Sequence, residues 1–251
     1  MTTKTTPESV LTLSEGGHEP GDGKACIMEY VALLAGEAWS DNPMCTHPVL
    51  ASMAREANDR MDDENRHLLV PLIGRLFGTS ATGSDIERRI LSVNLAIHSA
   101  KSVLHLVSSA YRAKAVAAIE AAERWVQEPS ENNSNKAYKA YSTANSSAIN
   151  TSVGTSIYAS AYAISSASHA AAAAGATNVA ETTAYAVDTT RSNGAANTAA
   201  HNATTENDQI FVDSLTSLID EYDRLTGRTE HREVKSEELD DINRSLLSLT
   251  T

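Results

Sequence analysis

Between Lys136 and Thr205 the chain is built mostly from Ala, Ser, Thr and Asn, and this block constrains the fold more than any other feature. Tyr138, Tyr141, Ile149, Val153, Ile157, Tyr158, Tyr162 and Ile164 recur within it mostly three or four residues apart. That is the interval of a helix face rather than the alternation of a strand. Alanine is the strongest helix former, so the block reads as helix rather than flexible linker. The spacing predicts one long helix from the start of the block to Ala174, stopped by Gly175. A second helix follows from Asn178-Val179-Ala180-Glu181, where Asn caps and Glu stands three residues on. Tyr141, Tyr158 and Tyr162 are expected to be buried. Ala144 and Ala161 are expected at close helix contacts that a leucine would overfill. No fixed repeat length marks a solenoid.

Flanking segments carry the same periodicity with larger side chains, which makes the expected fold class all-α. A first helix is predicted from Lys24 to Gly36 with Ile27, Val31 and Leu34 inward. Thr46 is placed to cap a second, with His47 and Pro48 in its first turn. A third runs through Leu68, Leu69, Leu72, Ile73 and Leu76 and is split by Pro71. Ser84-Asp85-Ile86-Glu87 has capping-box spacing and opens a helix continuing to Val107, and Tyr111 to Val126 forms the next. Ile210 through Leu225, ended by Gly227, is amphipathic, and Leu239, Ile242, Leu246 and Leu249 make a last short helix capped by Ser236. The expected organisation is a tail (1–16), a helical domain (17–128), a linker (129–135), the Ala/Ser/Thr-rich helices (136–205) and acidic C-terminal helices (206–251). The apolar stripe of the C-terminal helices needs cover, from the parent fold or from another protein.

Charge narrows the function classes. The net charge of −12 divides as −5 over residues 1–136, zero over 137–205 and −7 over 206–251. An acidic chain without a basic stripe is a poor ligand for phosphate backbones, so no nucleic-acid partner is expected. No run of apolar residues is long enough for a membrane span, and the N-terminus lacks a leader pattern. The expected setting is cytoplasmic, with Cys26 and Cys45 as thiols.

Both cysteines fall between His18 and Pro48, with His18, Glu29, Glu37, Ser40, Asp41 and His47. Cys26, Glu29 and Glu37 are predicted to share a helix stripe. General acid and base work, or a nucleophile, would draw on Glu29, Glu37, Asp41 and Cys45. His18, Cys26, Cys45 and His47 carry the ligand chemistry zinc uses, at spacings that fit no standard finger. Two weaker clusters are His98 with His105, which read as a helical core or surface pair, and Asp220, Glu221 and Asp223, which read as a solvated acidic face. No reaction-specific motif is complete. The expected function is therefore a non-enzymatic helical module binding a host protein or small ligand without a cofactor; the alternative is a metal-dependent or cysteine enzyme with its site in residues 18–47.

The residues Gly17-His18, Gly23, Cys26-Ile27-Met28-Glu29, Leu34-Ala35-Gly36-Glu37, Trp39-Ser40-Asp41, Pro43 and Cys45 through Pro48 resemble the N-terminal signature of uncharacterised proteins encoded by actinobacteria and their phages. The resemblance spans residues 11–80. It implies a phage or actinobacterial origin, points to Cys26, Glu29, Glu37, Ser40, Asp41 and Cys45 as a shared polar set, and implies no mechanism.

Overall fold

Helix caps and breakers set most of the segmentation. The computed structural model describes residues 13–20, 22–149, 155–204 and 208–234, with 238, 241, 242 and 244 beyond them. Among these the chain forms nine α-helices and no strand. Helix α1 (Ile27–Ala35) starts from Cys26 and stops at Gly36, whose φ of 69° is the left-handed conformation that side chains resist. Helix α2 (Pro48–Arg60) is capped one residue later than Thr46: His47 takes the cap, its Nδ1 accepting the Val49 N–H at 3.3 Å. Pro48 then occupies the first helical position, where a missing N–H costs nothing.

Pro71 does split the next element, leaving a 3-10 stretch (Arg66–Leu72) and the single turn α3 (Ile73–Leu76). Helix α4 (Asp85–Ser102) opens in the predicted capping box but ends before Val107, giving way to a 3-10 turn at Leu104–Leu106. Helix α5 (Ser109–Gln127) follows.

The predicted linker shrinks to Glu128–Ser130, because α6 (Glu131–Ile149) already includes Asn132 to Asn135. Ser130 Oγ accepts the Asn133 N–H, and the buried Asn133 side chain donates to Glu128 O at 2.9 Å. A polar run that looks like a loop by composition is thus a capped helix start. The single long helix is also corrected: α6 and α7 (Thr155–Gly175) are two elements packed on each other, and Val153 lies outside the described residues. Gly175 permits their close approach, since a Cβ there would sit 3.1 Å from the Tyr138 backbone nitrogen. Helix α8 (Val179–Thr204) begins as predicted, with Asn178 Oδ1 accepting the Glu181 N–H at 2.9 Å. Helix α9 (Gln209–Thr226) ends at Gly227. The proposed last helix, its Ser236 cap and most of its apolar residues lie outside the described residues, apart from the buried Ile242.

The Ala-rich helices form the interior. Helix α7 packs against α8, α6, α5 and α4, and α8 packs against α4 and α2. One apolar cluster runs from Leu13 to Ile242 and includes Ala163, Ile164, Ala167 and Ala170. The expected burial of the tyrosines is corrected. Tyr141 is half-buried, its ring 6.3 Å from that of His169, whereas Tyr162 is exposed and the Tyr158 side chain lies outside the described set. Alanines occupy the helix contacts, and the larger rings are displaced to their rim.

Helix α9 spends its apolar face on its own fold. Phe211, Leu215, Leu218, Ile219 and Tyr222 are buried, and the helix lies across α2 and α4. No described helix is long and apolar enough to cross a membrane.

Candidate functional site

The polar residues of the 18–48 segment separate into two clusters with different consequences. The first centres on Glu29, which is 1% exposed. Its Oε1 accepts the His18 N–H at 2.7 Å, and its Oε2 accepts the Cys26 N–H at 2.7 Å and contacts His18 Nδ1 at 3.0 Å. Trp39 Nε1 donates to His18 O at 2.6 Å. Asn58 extends the same network, accepting from the Ile27 N–H and donating to Ser14 O. A buried carboxylate that accepts several N–H groups is satisfied in place and orders the loop before α1. Cys26 lies beneath it, and burial together with the Glu29 charge pushes its thiol up to about 12. It is protonated at neutral pH, which removes its nucleophilic character.

Glu37 does not share the Glu29 stripe. It lies beyond Gly36, its own N–H bonded to Ala32 O, and its carboxylate accepts the Met44 N–H at 2.7 Å and the Cys45 N–H at 2.8 Å. Asp41 stands across Gly17 from Glu29 and offers its carbonyl to Arg55 at 2.7 Å. Ser40 accepts the Asn42 N–H in a local turn. Among the described residues no three His, Cys, Asp or Glu side chains converge as a metal group. His18 goes to Glu29, Cys45 sits beside Thr46, and His47 caps α2.

The second cluster bounds a cavity. Glu37 holds the loop 43–46, and Cys45 O accepts the Ser80 N–H at 3.0 Å, joining that loop to the segment after α3. The His47 N–H donates to Thr79 Oγ1 at 3.1 Å, and Thr46 donates to Leu76 O. Between this wall and helices α4 and α8 lies a cavity of about 350 Å³ whose polar lining includes Asn42, His47, Ser80, Arg88, Ser92 and Thr183. Met44, 85% exposed, stands at its edge.

His47 is buried in this wall, and burial lowers its imidazole to about 4, so the ring is neutral. Because Nδ1 accepts a backbone N–H, the ring proton belongs on Nε2, 3.5 Å from Ser92 Oγ. At that distance the Ser92 hydroxyl is only weakly held. Among the described residues Arg88 is the one charged residue on the lining; its Nη2 pairs with Asp85, while its buried Nε has no acceptor among them. Its neighbour Arg89 is fully used, with its guanidinium 4.7 Å from the Trp125 ring and its nitrogens on Thr182 and Ala176.

Sequence reasoning missed Arg88, Ser92, Ser80 and Thr183, since nothing in their local pattern marks them. It found Glu37, Cys45 and His47, which build the wall. Burial raises the Cys45 thiol above its ordinary value, so it too is a poor nucleophile at neutral pH. The weaker clusters resolve as structure: His98 bonds Ser217 at 2.8 Å, His105 bonds Ser102 O, and Asp220 and Asp223 both pair with Arg75.

A comparison of the chain with protein families, curated proteins and solved structures finds no match.

Proposed function

We propose that this protein is a non-enzymatic helical binding module, phage-encoded and acting in the cytoplasm of its host, that holds a small anionic ligand between the 42–48 loop and helices α4 and α8. The observation that carries this reading is the cavity lining: one guanidinium with a buried unpaired N–H, set among hydroxyls and a neutral imidazole. A volume of about 350 Å³ suits a small molecule. An unmatched buried donor is costly alone and is relieved by an acceptor on a ligand.

The non-enzymatic part rests on the same geometry. His47 Nδ1 is committed to the α2 cap, and both thiols are held protonated. The likeness of the 17–48 segment to actinobacterial and phage proteins supports the origin, and its shared Glu37 and Cys45 are wall residues here. The reading calls for no cofactor. With the α9 stripe used internally, the cavity favours a small ligand over a host protein docked at that helix.

Thermal unfolding across a panel of small phosphates and carboxylates tests the proposal. A true ligand at a hundredfold excess over Kd should add about 2.7 kcal/mol of stability, and Arg88→Met should abolish that gain. A panel with no stabilising member, or a gain that survives Arg88→Met, overturns ligand binding here. Turnover of the ligand, or about one equivalent of zinc in elemental analysis of untagged protein, would instead favour the enzyme alternative.

A further inference from the structure

We infer that the outer seam between α5 and α6 docks an acidic helix with a small-residue face, presented by a partner protein. The two helices are joined by only three residues and pack side by side. Helix α5 turns Ala115, Ala118, Ala122 and Trp125 into the core. Its other side is also alanine-rich, with Ala113 and Ala117 exposed and Ala121 at the base of the seam. Opposite them α6 contributes Ala140. The result is a trough of about 370 Å³ lined between its cations by these alanines and Thr143, small side chains that let a second helix approach closely.

Four cations fence this trough: Lys114 and Arg124 from α5, Lys136 and Lys139 from α6. Among the described residues no carboxylate is on the lining. The ammonium groups of Lys136 and Lys139 make no ion pair or hydrogen bond among the described residues, and that of Lys114 has two neutral partners, the Ser147 hydroxyl at 2.9 Å and the Tyr111 ring, whose centroid is 5.8 Å away. Arg124 has one distant partner, Glu120 at 3.8 Å. In a chain of net charge −12, four cations on one seam, only one of them with a carboxylate partner among the described residues, depart from the overall charge of the molecule. Like charges three apart on a helix, as Lys136 and Lys139 are, destabilise it slightly, and a feature that costs stability without local compensation marks a functional surface.

The shape selects the partner. Cations on both rims with small side chains between them match a helix carrying Glu or Asp along its flanks and Ala or Ser between them, the arrangement used at helix-in-groove interfaces. Single-stranded nucleic acid would call for exposed rings on which bases stack, and among the described residues no aromatic side chain lines the trough.

Fluorescence anisotropy provides the test, using a labelled Glu/Ala peptide of about six helical turns with its carboxylates on the two flanks. The full chain should bind it at low salt and release it as salt rises. The charge-reversed double variant Lys136→Glu, Lys139→Glu should weaken binding at least tenfold, while circular dichroism stays unchanged because both side chains are exposed. Ala117→Phe, which fills the trough and leaves every charge in place, should weaken it comparably. Binding that survives both variants, absence of any binding by the Glu/Ala peptide, or preferential binding of a labelled DNA duplex overturns the inference.

Discussion

The layer formed by α1 to α4 and the central pair α7 and α8 reach the same degree of burial by opposite means. In the first, Ile27, Met28, Leu50, Leu69, Ile73, Leu76 and Leu95 are fully buried, and each removes a large apolar area from water. In the second, Ala170 through Ala174 are equally inaccessible but bury little area each. The second layer is also polar inside: Ser166, Thr182, Thr189, Thr190, Asn193 and Asn197 are all nearly inaccessible. Their hydrogen bonds cross between helices. Ser166 donates to Thr189 O, Thr190 donates to Ser52 Oγ at 2.9 Å, and Asn193 donates to Ser99 O at 2.7 Å. Bulk supplies the stability of one layer, whereas close approach and satisfied polar pairs fix the register of the other.

The largest effect expected from this contrast is at Leu50. Leu50→Ala should cost about 2–5 kcal/mol, because a fully enclosed leucine leaves a void that neighbours fill only partly. Urea denaturation would show the loss as a lowered midpoint. A cost no greater than that of the central-layer substitutions below would break the distinction between the layers.

Acid should strike next. His47 titrates near 4 in the folded protein against an ordinary value of 6.5, so between those limits the unfolded chain binds a proton that the folded chain refuses. Its contribution is fully present above about pH 6.5 and is lost as pH falls toward 4, amounting to about 3 kcal/mol if it acts alone. His98 and His169, also lowered by burial, act with the same sign. His47→Asn keeps a good capping residue and should flatten the dependence of urea midpoints on pH in this window. An unchanged slope in that variant would assign the acid sensitivity elsewhere.

Overpacking probes the other layer directly. Ala167→Leu introduces three carbons at a fully enclosed site and should cost about 1–3 kcal/mol. A flexible linker would absorb the change without cost.

What the sequence made legible follows the same division. Helix α4 and the start of α8 were readable because capping boxes are local: Ser84 with Glu87, and Asn178 with Glu181, decide those ends within four residues. The start of α6 was not, because Asn132 to Asn135 have poor helix propensity and the segment is held by the Ser130 cap and by Asn133 docking on Glu128. The cavity was half legible. Glu37, Cys45 and His47 stood out as reactive types, yet their work is done on backbone N–H groups, while Arg88, Ser92 and Thr183 arrive from α4 and α8 through tertiary packing alone.

The smallest effect expected is the most specific to the polar layer. Thr190 lies at 0% exposure, with its hydroxyl within bonding distance of Ser52 Oγ and of Val187 O at 2.7 Å in its own helix. Thr190→Val keeps the shape and removes the donor. The Ser52 hydroxyl, itself buried, then loses that partner, and the expected cost is about 1 kcal/mol, the net worth of one hydrogen bond. Changing both partners to Thr190→Val with Ser52→Ala should cost less than the sum of the single changes, since neither group is then stranded. A double-mutant cycle in urea measures this coupling. Full additivity would mean that the α2–α8 contact depends on packing alone, and the proposed division of labour between the two layers would fail at this contact.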